Sequence, residues 1–467
     1  MDTVKEKAGH QSILQGYAAD IIHVDQMSDR DDQQARLEKE KTTDGEAHFH
    51  RLGWKRLTIV LIVESIALGS LSLPAAFASL GMVAGVICCV GVGLLAIYTS
   101  HIIGLVKLKF PKVTHYGDAI GLLLGKPGYE VACAMFTVQL ILLVGSHCLT
   151  GTIAFTHITE TSICSIVFGV ISAVLLLILA IPPTFSEMAI LGYIDFVSIL
   201  AAIAVTIIGT GVRSNQLEQA NWSAWPKPDM GLVDGFLAIS NIVFAYSFAM
   251  CEFSFLDEMH TPKDYIKAVW ALGITQIVIY TLTGSLVYAF VGVGVKSPAL
   301  LSAGGTLSKV AFGVALPVIF ISGSINTTVL GRYLHGRLFK NSIARYVNTP
   351  KGWATWLGMV TIVTILAFIA AESIPIFYDL LAICGSLFVS GFSFYIPAIM
   401  WYKLIRNGSW HSRKNLTDAV LCAVCFVIGL VILGFGTYSS IVDIVSQPPV
   451  HDGIGRIFTH RILEKTL

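Results

Sequence analysis

Charge is what this sequence has little of. Asp, Glu, Lys and Arg make up 13% of its 467 residues, against about a quarter in a soluble domain. Apolar residues reach 54% and the mean hydropathy is +0.72, which excludes a water-soluble body for most of the chain. A net charge of +1 leaves no basic surplus, and so no nucleic-acid footprint. The N-terminal residues lack an apolar run behind a basic start, so no secretory signal peptide is read there. Metal chemistry is equally poorly supplied. The nine cysteines all fall in or beside apolar segments, and Cys422-Ala-Val-Cys425, with zinc-like local spacing, has no second ligand pair. They read as small buried hydrophobes, and neither metal nor cofactor is expected. An intramembrane aspartyl protease would need paired aspartates, but no Gly-x-Gly-Asp surrounds Asp195 or Asp379. No nucleophile–base arrangement points to another enzyme.

What is present is a series of long apolar runs. A helix needs about twenty consecutive apolar residues to cross the hydrocarbon core. By that rule an all-α integral membrane protein of about eleven transmembrane helices is expected. The spans are 57–80, 82–106, 129–155, 162–182, 187–210, 234–257, 266–293, 306–334, 353–372, 375–403 and 416–438. Residues 1–55 mix Lys and Arg with Asp and Glu and have few aromatics, so they read as a disordered tail. The membrane-spanning body covers 56–438, and 439–467 form a C-terminal tail.

Basic residues set the orientation. Lys107, Lys109, Lys112 and Lys126 lie between spans two and three. Arg332, Arg337, Lys340, Arg345 and Lys351 lie between eight and nine, and Lys403, Arg406, Arg413 and Lys414 between ten and eleven. The positive-inside rule places these loops and the N-terminal tail in the cytoplasm and the C-terminal tail outside. Asn221-Trp-Ser223, a glycosylation sequon, then falls in the longest outer loop.

The first span carries its own interruption. Gly69, Ser70, Ser72 and Pro74 crowd where a membrane helix should be most regular. Proline cannot donate a backbone N–H, and its ring clashes with the preceding turn. Freed backbone groups are tolerated in hydrocarbon only where they face protein or a watery cavity. An interrupted helix near the midplane therefore points to a transporter's binding site; the bland alternative is a proline kink with no ligand.

Ionisable groups inside the membrane are functional hypotheses by default. Glu64, Asp195 and Glu252 lie in the inner half, Glu372 and Asp379 towards the outside, and His101 and His147 are the intramembrane histidines. A carboxyl group there is either a proton carrier or a structural hydrogen-bond partner. Glu64, a turn and a half before Gly69, is the first candidate carrier, with Glu252 and Asp195 behind it. Gly323, Thr327 and Gly331, with Ser324 and Thr328 alongside, line span eight. Small residues at that spacing mean close packing, or else the hydroxyls of Ser324, Thr327 and Thr328 offer oxygens to a cation. Ser386, Ser390 and Ser393 form a comparable stripe in span ten. Span six mixes Asn241, Phe244, Tyr246, Ser247 and Cys251, a face that suits a core or a pocket lining.

Two runs carry a family resemblance over roughly residues 50–440. Glu64 to Phe77, with Ala78-Ser-Leu-Gly-Met-Val-Ala-Gly85, resembles the first helix of the amino acid/auxin permease family. Phe244 to Lys263 and Asn221 to Asp229 look like the fungal neutral amino-acid permeases of that family. The resemblance implies a leucine-transporter-like fold, with spans one to five and six to ten as inverted repeats plus one C-terminal helix. It implies that amides at Gly69, Ser70, Leu71, Ser72 and Leu73 bind the substrate carboxylate. Carbonyls around Ala245 to Ser247 would take the ammonium, and Phe244, Tyr246 and Phe248 would shape the side-chain pocket. Span six has no Gly or Pro at its expected break. Residues 57–80 contain no Asn, which sodium-coupled relatives carry, and this favours proton coupling.

The expected function is therefore a proton-coupled importer of neutral amino acids at the plasma membrane. Its partners are the amino acid, protons and the bilayer. Transport of a specialised amino-acid-like metabolite, a vacuolar location and a non-transporting sensor remain as alternatives.

Overall fold

The computed structural model describes residues 53–183, 185–214, 221–257, 259–339 and 349–446, without the side chains at 64, 67 and 185–190. The expectations for the tails at 1–52 and 447–467 lie outside the described residues.

Helices α1 (Trp54–Leu80), α2 (Met82–Lys109), α3 (Tyr116–Thr159), α4 (Ser165–Leu179) and α5 (Phe185–Ser214) form the first half. The second half holds α6 (Leu232–Ala245), α7 (Glu252–Asp257), α8 (Tyr265–Val291), α9 (Gly305–Leu338), α10 (Pro350–Ser373) and α11 (Phe377–Ile405). Helix α12 (Leu416–Ser446) closes the chain. Among the described residues, eight helices are long and apolar enough to cross a membrane, and a bent α1 makes a ninth. The other two expected spans are shorter helices: α4 has 15 residues and α6 has 14. Helical structure dominates because hydrocarbon offers no partner for a free N–H or C=O.

Two boundaries differ from the sequence reading. Helix α3 begins at Tyr116, before the expected 129, because Gly125 at φ 69° turns the chain between two helical stretches and Pro127 opens the second. Helix α12 runs on to Ser446, so residues 439–446 are helical rather than the start of a tail. Ser439 and Ser440 are buried there, where this end of α12 packs on α6 and α11.

Helix α1 lies at the centre, against α5, α6, α8 and α9. Helix α9 packs in turn on α3 and α5. Large apolar residues such as Ile87, Val138, Ile274, Ile362 and Val427 point outward, as a lipid-facing surface requires.

Each end of the bundle is closed by the chain itself. At one end, Ser223 and Ala224 carbonyls accept from the Met82 and Val83 amides at 3.0 and 3.1 Å, satisfying first-turn donors of α2. Tyr288 Oη accepts from the Ser223 amide at 2.9 Å, and Asn221 is exposed on that loop. At the other end, Lys107 Nζ lies 2.6 Å from Asp257 Oδ1 and donates to the carbonyls of Val113 and Pro111 at 2.6 and 3.0 Å. His115 Nδ1 and Ser254 Oγ meet at 2.9 Å beside it. Lys107 thus ties α2, the following loop and α7 together while only 6% exposed. Lys107→Ala is expected to cost on the order of 1–3 kcal/mol of stability through its stranded acceptors. A thermal-shift assay of the purified protein reads this, and an unchanged midpoint would show that the tie carries no weight.

Candidate functional site

The sequence expects α1 to open at Gly69–Pro74, whereas the structure bends it by 54° between Val63 and Leu68, one turn earlier. Residues 69–73 are helical and buried. The cause is tertiary. Ser322 of α9 donates to the Val63 carbonyl at 3.0 Å, and Tyr280 Oη of α8 lies 2.8 Å from the Ser65 carbonyl. Side chains that capture carbonyls from the i→i−4 ladder are a recognised source of kinks.

Span six breaks without Gly or Pro. Helix α6 ends at Ala245, Tyr246 leaves helical geometry at φ −100° and ψ 39°, and a 3₁₀ turn over Ser247–Met250 leads into α7. Here too the carbonyls find outside donors. Tyr280 Oη lies 2.9 Å from the Ala245 carbonyl, and Ser393 Oγ donates to that of Tyr246 at 3.3 Å. The Tyr246 ring leaves the break for α2, donating to the Cys89 carbonyl at 2.9 Å. Its edge meets the Tyr280 ring, centroids 5.2 Å apart.

The two interruptions touch. A Cβ at Gly69 would stand 2.8 Å from Ala245 Cα, so only glycine permits this approach. Tyr280 Oη reaches a carbonyl on each side, Ser65 and Ala245, and Gln276 Nε2 approaches it at 3.5 Å. Gly385 of α11 closes on α6 from behind, where a Cβ would lie 2.1 Å from the Ser240 carbonyl. The expected substrate residues Gly69, Ser70, Leu71, Ser72 and Leu73 therefore stand on α1 opposite Phe244, Ala245, Tyr246, Ser247 and Phe248, all buried. Tyr280, Gln276 and Ser322 were missed by sequence reasoning. Gln276 and Tyr280, four residues apart in an apolar span, are the sort of intramembrane polar pair that marks interhelical contact.

The intramembrane acids separate by surroundings. Asp195 Oδ2 lies 2.9 Å from Ser322 Oγ, and Oδ1 has no partner among the described residues. Glu252, 1% exposed, follows the span-six break directly, and neither of its oxygens has a hydrogen-bond partner among the described residues. Ser100, Tyr116 and Tyr265 are the polar side chains that act on it or feel its charge. Asp379 of α11 faces Asp443 of α12, away from both breaks in sequence. The side chain of Glu64, the first candidate, lies outside the described ones, although its backbone is in the bend. His147 is held by the Ile319 carbonyl at 2.8 Å. In α9, Ser324 and Thr327 donate to Ile321 and Gly323 carbonyls of their own helix at 2.8 and 2.9 Å, and Thr328 Oγ1 has no partner among the described residues.

Comparison with known proteins agrees with this architecture. A profile of the family described as "Transmembrane amino acid transporter protein" matches residues 50–442. An "N amino acid transport system protein" of Neurospora crassa is 59% identical over 418 residues, covering 88% of this chain and 89% of the relative. A "Transmembrane transporter" of Fusarium pseudograminearum is 28% identical over 411 residues, 86% of each chain. Among solved structures, Mhp1, a nucleobase-cation-symport-1 family transporter in a closed conformation with bromovinylhydantoin bound, aligns with a TM-score of 0.52. It covers 90% of this chain and 94% of its own at 12% identity, a likeness of fold alone. The all-helical, leucine-transporter-like architecture expected from the sequence is thereby borne out. With its matched profile spanning the whole helical body and a fungal relative of such high identity, this chain belongs to the transmembrane amino acid transporter family.

Proposed function

We propose that the protein is a secondary active importer of neutral amino acids, coupled to protons and acting at the plasma membrane. The observation that carries this reading is the contact of two interrupted helices at Gly69 and Ala245. Interrupted helices at a repeat interface are where transporters of this architecture bind substrate and coupling ion. Gly69, Ser70, Leu71, Ser72 and Leu73 supply backbone groups for the carboxylate. Carbonyls at Ala245 to Ser247 take the ammonium, and Phe244, Tyr246 and Phe248 bound the side chain. None of these ten residues is charged, which suits a neutral side chain. The buried acids Glu64, Glu252 and Asp195 are the candidate proton carriers. Ser324 and Thr327, whose hydroxyls bond within α9, serve packing together with Thr328. Asn221, on the exposed outer loop, is the proposed glycosylation site.

Radiolabelled alanine and phenylalanine uptake in a transport-deficient yeast tests the proposal. Saturable uptake that collapses with a protonophore is the expected outcome. Uptake insensitive to the protonophore would reject proton coupling. No uptake of either amino acid despite surface expression would reject import across the plasma membrane.

A further inference from the structure

Asp195 of α5, Ser322 of α9 and Val63 of α1 meet at a single hydroxyl. Ser322 Oγ lies 2.9 Å from Asp195 Oδ2 and 3.0 Å from the Val63 carbonyl oxygen. All three residues are fully buried. A serine has one hydrogen to donate, and a backbone carbonyl can only accept. An ionised Asp195 can only accept as well, so the two contacts would then compete for one hydrogen. Both are satisfied together only when the carboxyl is protonated. The Asp195 O–H then donates to Ser322 Oγ, and the Ser322 O–H donates to Val63. The empty Asp195 Oδ1 points the same way, because an ionised carboxylate with a bare oxygen at a fully buried site is heavily penalised. Val63 is the last residue before the 54° bend, among the carbonyls that a helical stretch leaves to outside donors at its end.

We propose that Asp195 is a proton-operated latch on the bend of α1, working through Ser322. The inference rests on the proton-coupled reading above and names which acid transmits the proton's effect, and how. With the proton in place, the hydroxyl chain Asp195–Ser322–Val63 fastens the first half of α1 to α5 and α9. When Asp195 releases its proton to water, the Ser322 hydrogen turns back to the carboxylate and Val63 loses its donor. The segment Trp54–Val63 is then free to swing about the bend next to Gly69. One proton is taken up and one released per cycle, and no other bond changes. Among the described side chains no basic group pairs with the acid. Among the described side chains Ser322 is the polar group that acts on Asp195. On α5 itself and the elements packed against it, Arg213 reaches the Ser302 carbonyl, Lys267 pairs with Asp264, Lys309 with Glu160 and Arg337 with Glu130, His335 bonds Thr355, Arg332 has an interaction of its own, and Lys55 and Arg56 stand at the start of α1. Glu64, adjacent to Val63, is the acidic neighbour whose side chain is not described.

The test uses the full-length protein in liposomes with radiolabelled alanine and phenylalanine. Two rates are compared: exchange at equal pH on both sides, and accumulation driven by an inward proton gradient. In Asp195→Asn the amide N–H donates to Ser322 without titrating, which holds the latch shut by the same two bonds. Gradient-driven accumulation is expected to be lost, and exchange to fall below wild type and to stop changing with pH, since the first half of α1 can no longer swing. Ser322→Ala cuts the chain between acid and carbonyl and is expected to lose accumulation too, with the double variant no worse than the single ones. Asp195→Asn accumulating like wild type would overturn the latch and return the role to Glu64 or Glu252. So would accumulation by wild type on a sodium gradient that Asp195→Asn abolishes, since Asp195 would then be a cation ligand. If Asp195→Asn fails to fold, normal accumulation by Ser322→Ala overturns the proposal and its loss with exchange intact supports it. A wild type that ignores the proton gradient refutes the coupling reading itself, before any variant is compared.

Discussion

Gly69→Val is expected to lower amino-acid uptake at least tenfold while the protein still reaches the membrane. A Cβ at residue 69 would lie 2.8 and 2.9 Å from Cα and Cβ of Ala245 and 3.3 Å from Tyr280 Oη. Two of these atoms are within or directly on the α6 backbone at its break, so they cannot rotate aside as the end of a flexible side chain would. Forcing methyl groups into such a contact costs about 1–3 kcal/mol. The larger consequence is geometric, because the interrupted segments are pushed apart where substrate groups must converge. Gly69→Ala should show the same defect at smaller size. Gly91→Ala is the control, since a Cβ there meets nothing within 4 Å. Uptake normalised to surface protein reads the effect. A Gly69→Val variant transporting at the wild-type rate would refute a site at this contact.

Tyr280→Phe is the second large effect, and it removes a single oxygen. That oxygen lies 2.8 Å from the Ser65 carbonyl and 2.9 Å from the Ala245 carbonyl, inside a fully buried side chain. Without it, the one hydrogen shared between the carbonyls at the bend of α1 and the end of α6 is lost, and the Gln276 amide loses its acceptor. Buried polar groups left unpaired cost about 1–3 kcal/mol each. A lower thermal midpoint and a fall in uptake of about tenfold or more are expected, since 1.4 kcal/mol already corresponds to tenfold in a rate. Tyr280→Phe with wild-type uptake and stability would mean that the two breaks are held open by their own backbones. The phenyl ring keeps the edge contact with Tyr246, so the substitution isolates the hydroxyl.

The partition between what sequence and structure contribute is clearest at the two breaks. Gly69, Ser70, Ser72 and Pro74 mark α1 as interruptible, yet the bend lies at residues 64–67. Span six carries no such mark and breaks all the same, at Tyr246. A helix opens where its carbonyls can leave the ladder without being stranded, and in a membrane that requires a donor from another helix. The donors here are Tyr280, 215 residues from Ser65, and Ser322, 259 residues from Val63. No local pattern encodes a partner at that distance. The same holds for Asp195, whose position in an apolar run flags it as costly but not as the neighbour of a hydroxyl shared with α1. By contrast, the apolar segments, the basic loops between them and the resemblance of the first and sixth spans to known permeases were legible in the residues alone. The sequence by itself determined the membrane class and the set of apolar segments, because hydrocarbon burial depends on composition and length. Which backbone groups open, which acid they are wired to and how closely α1 meets α6 were decided only by tertiary packing, since each depends on a hydroxyl or a missing Cβ supplied across the bundle.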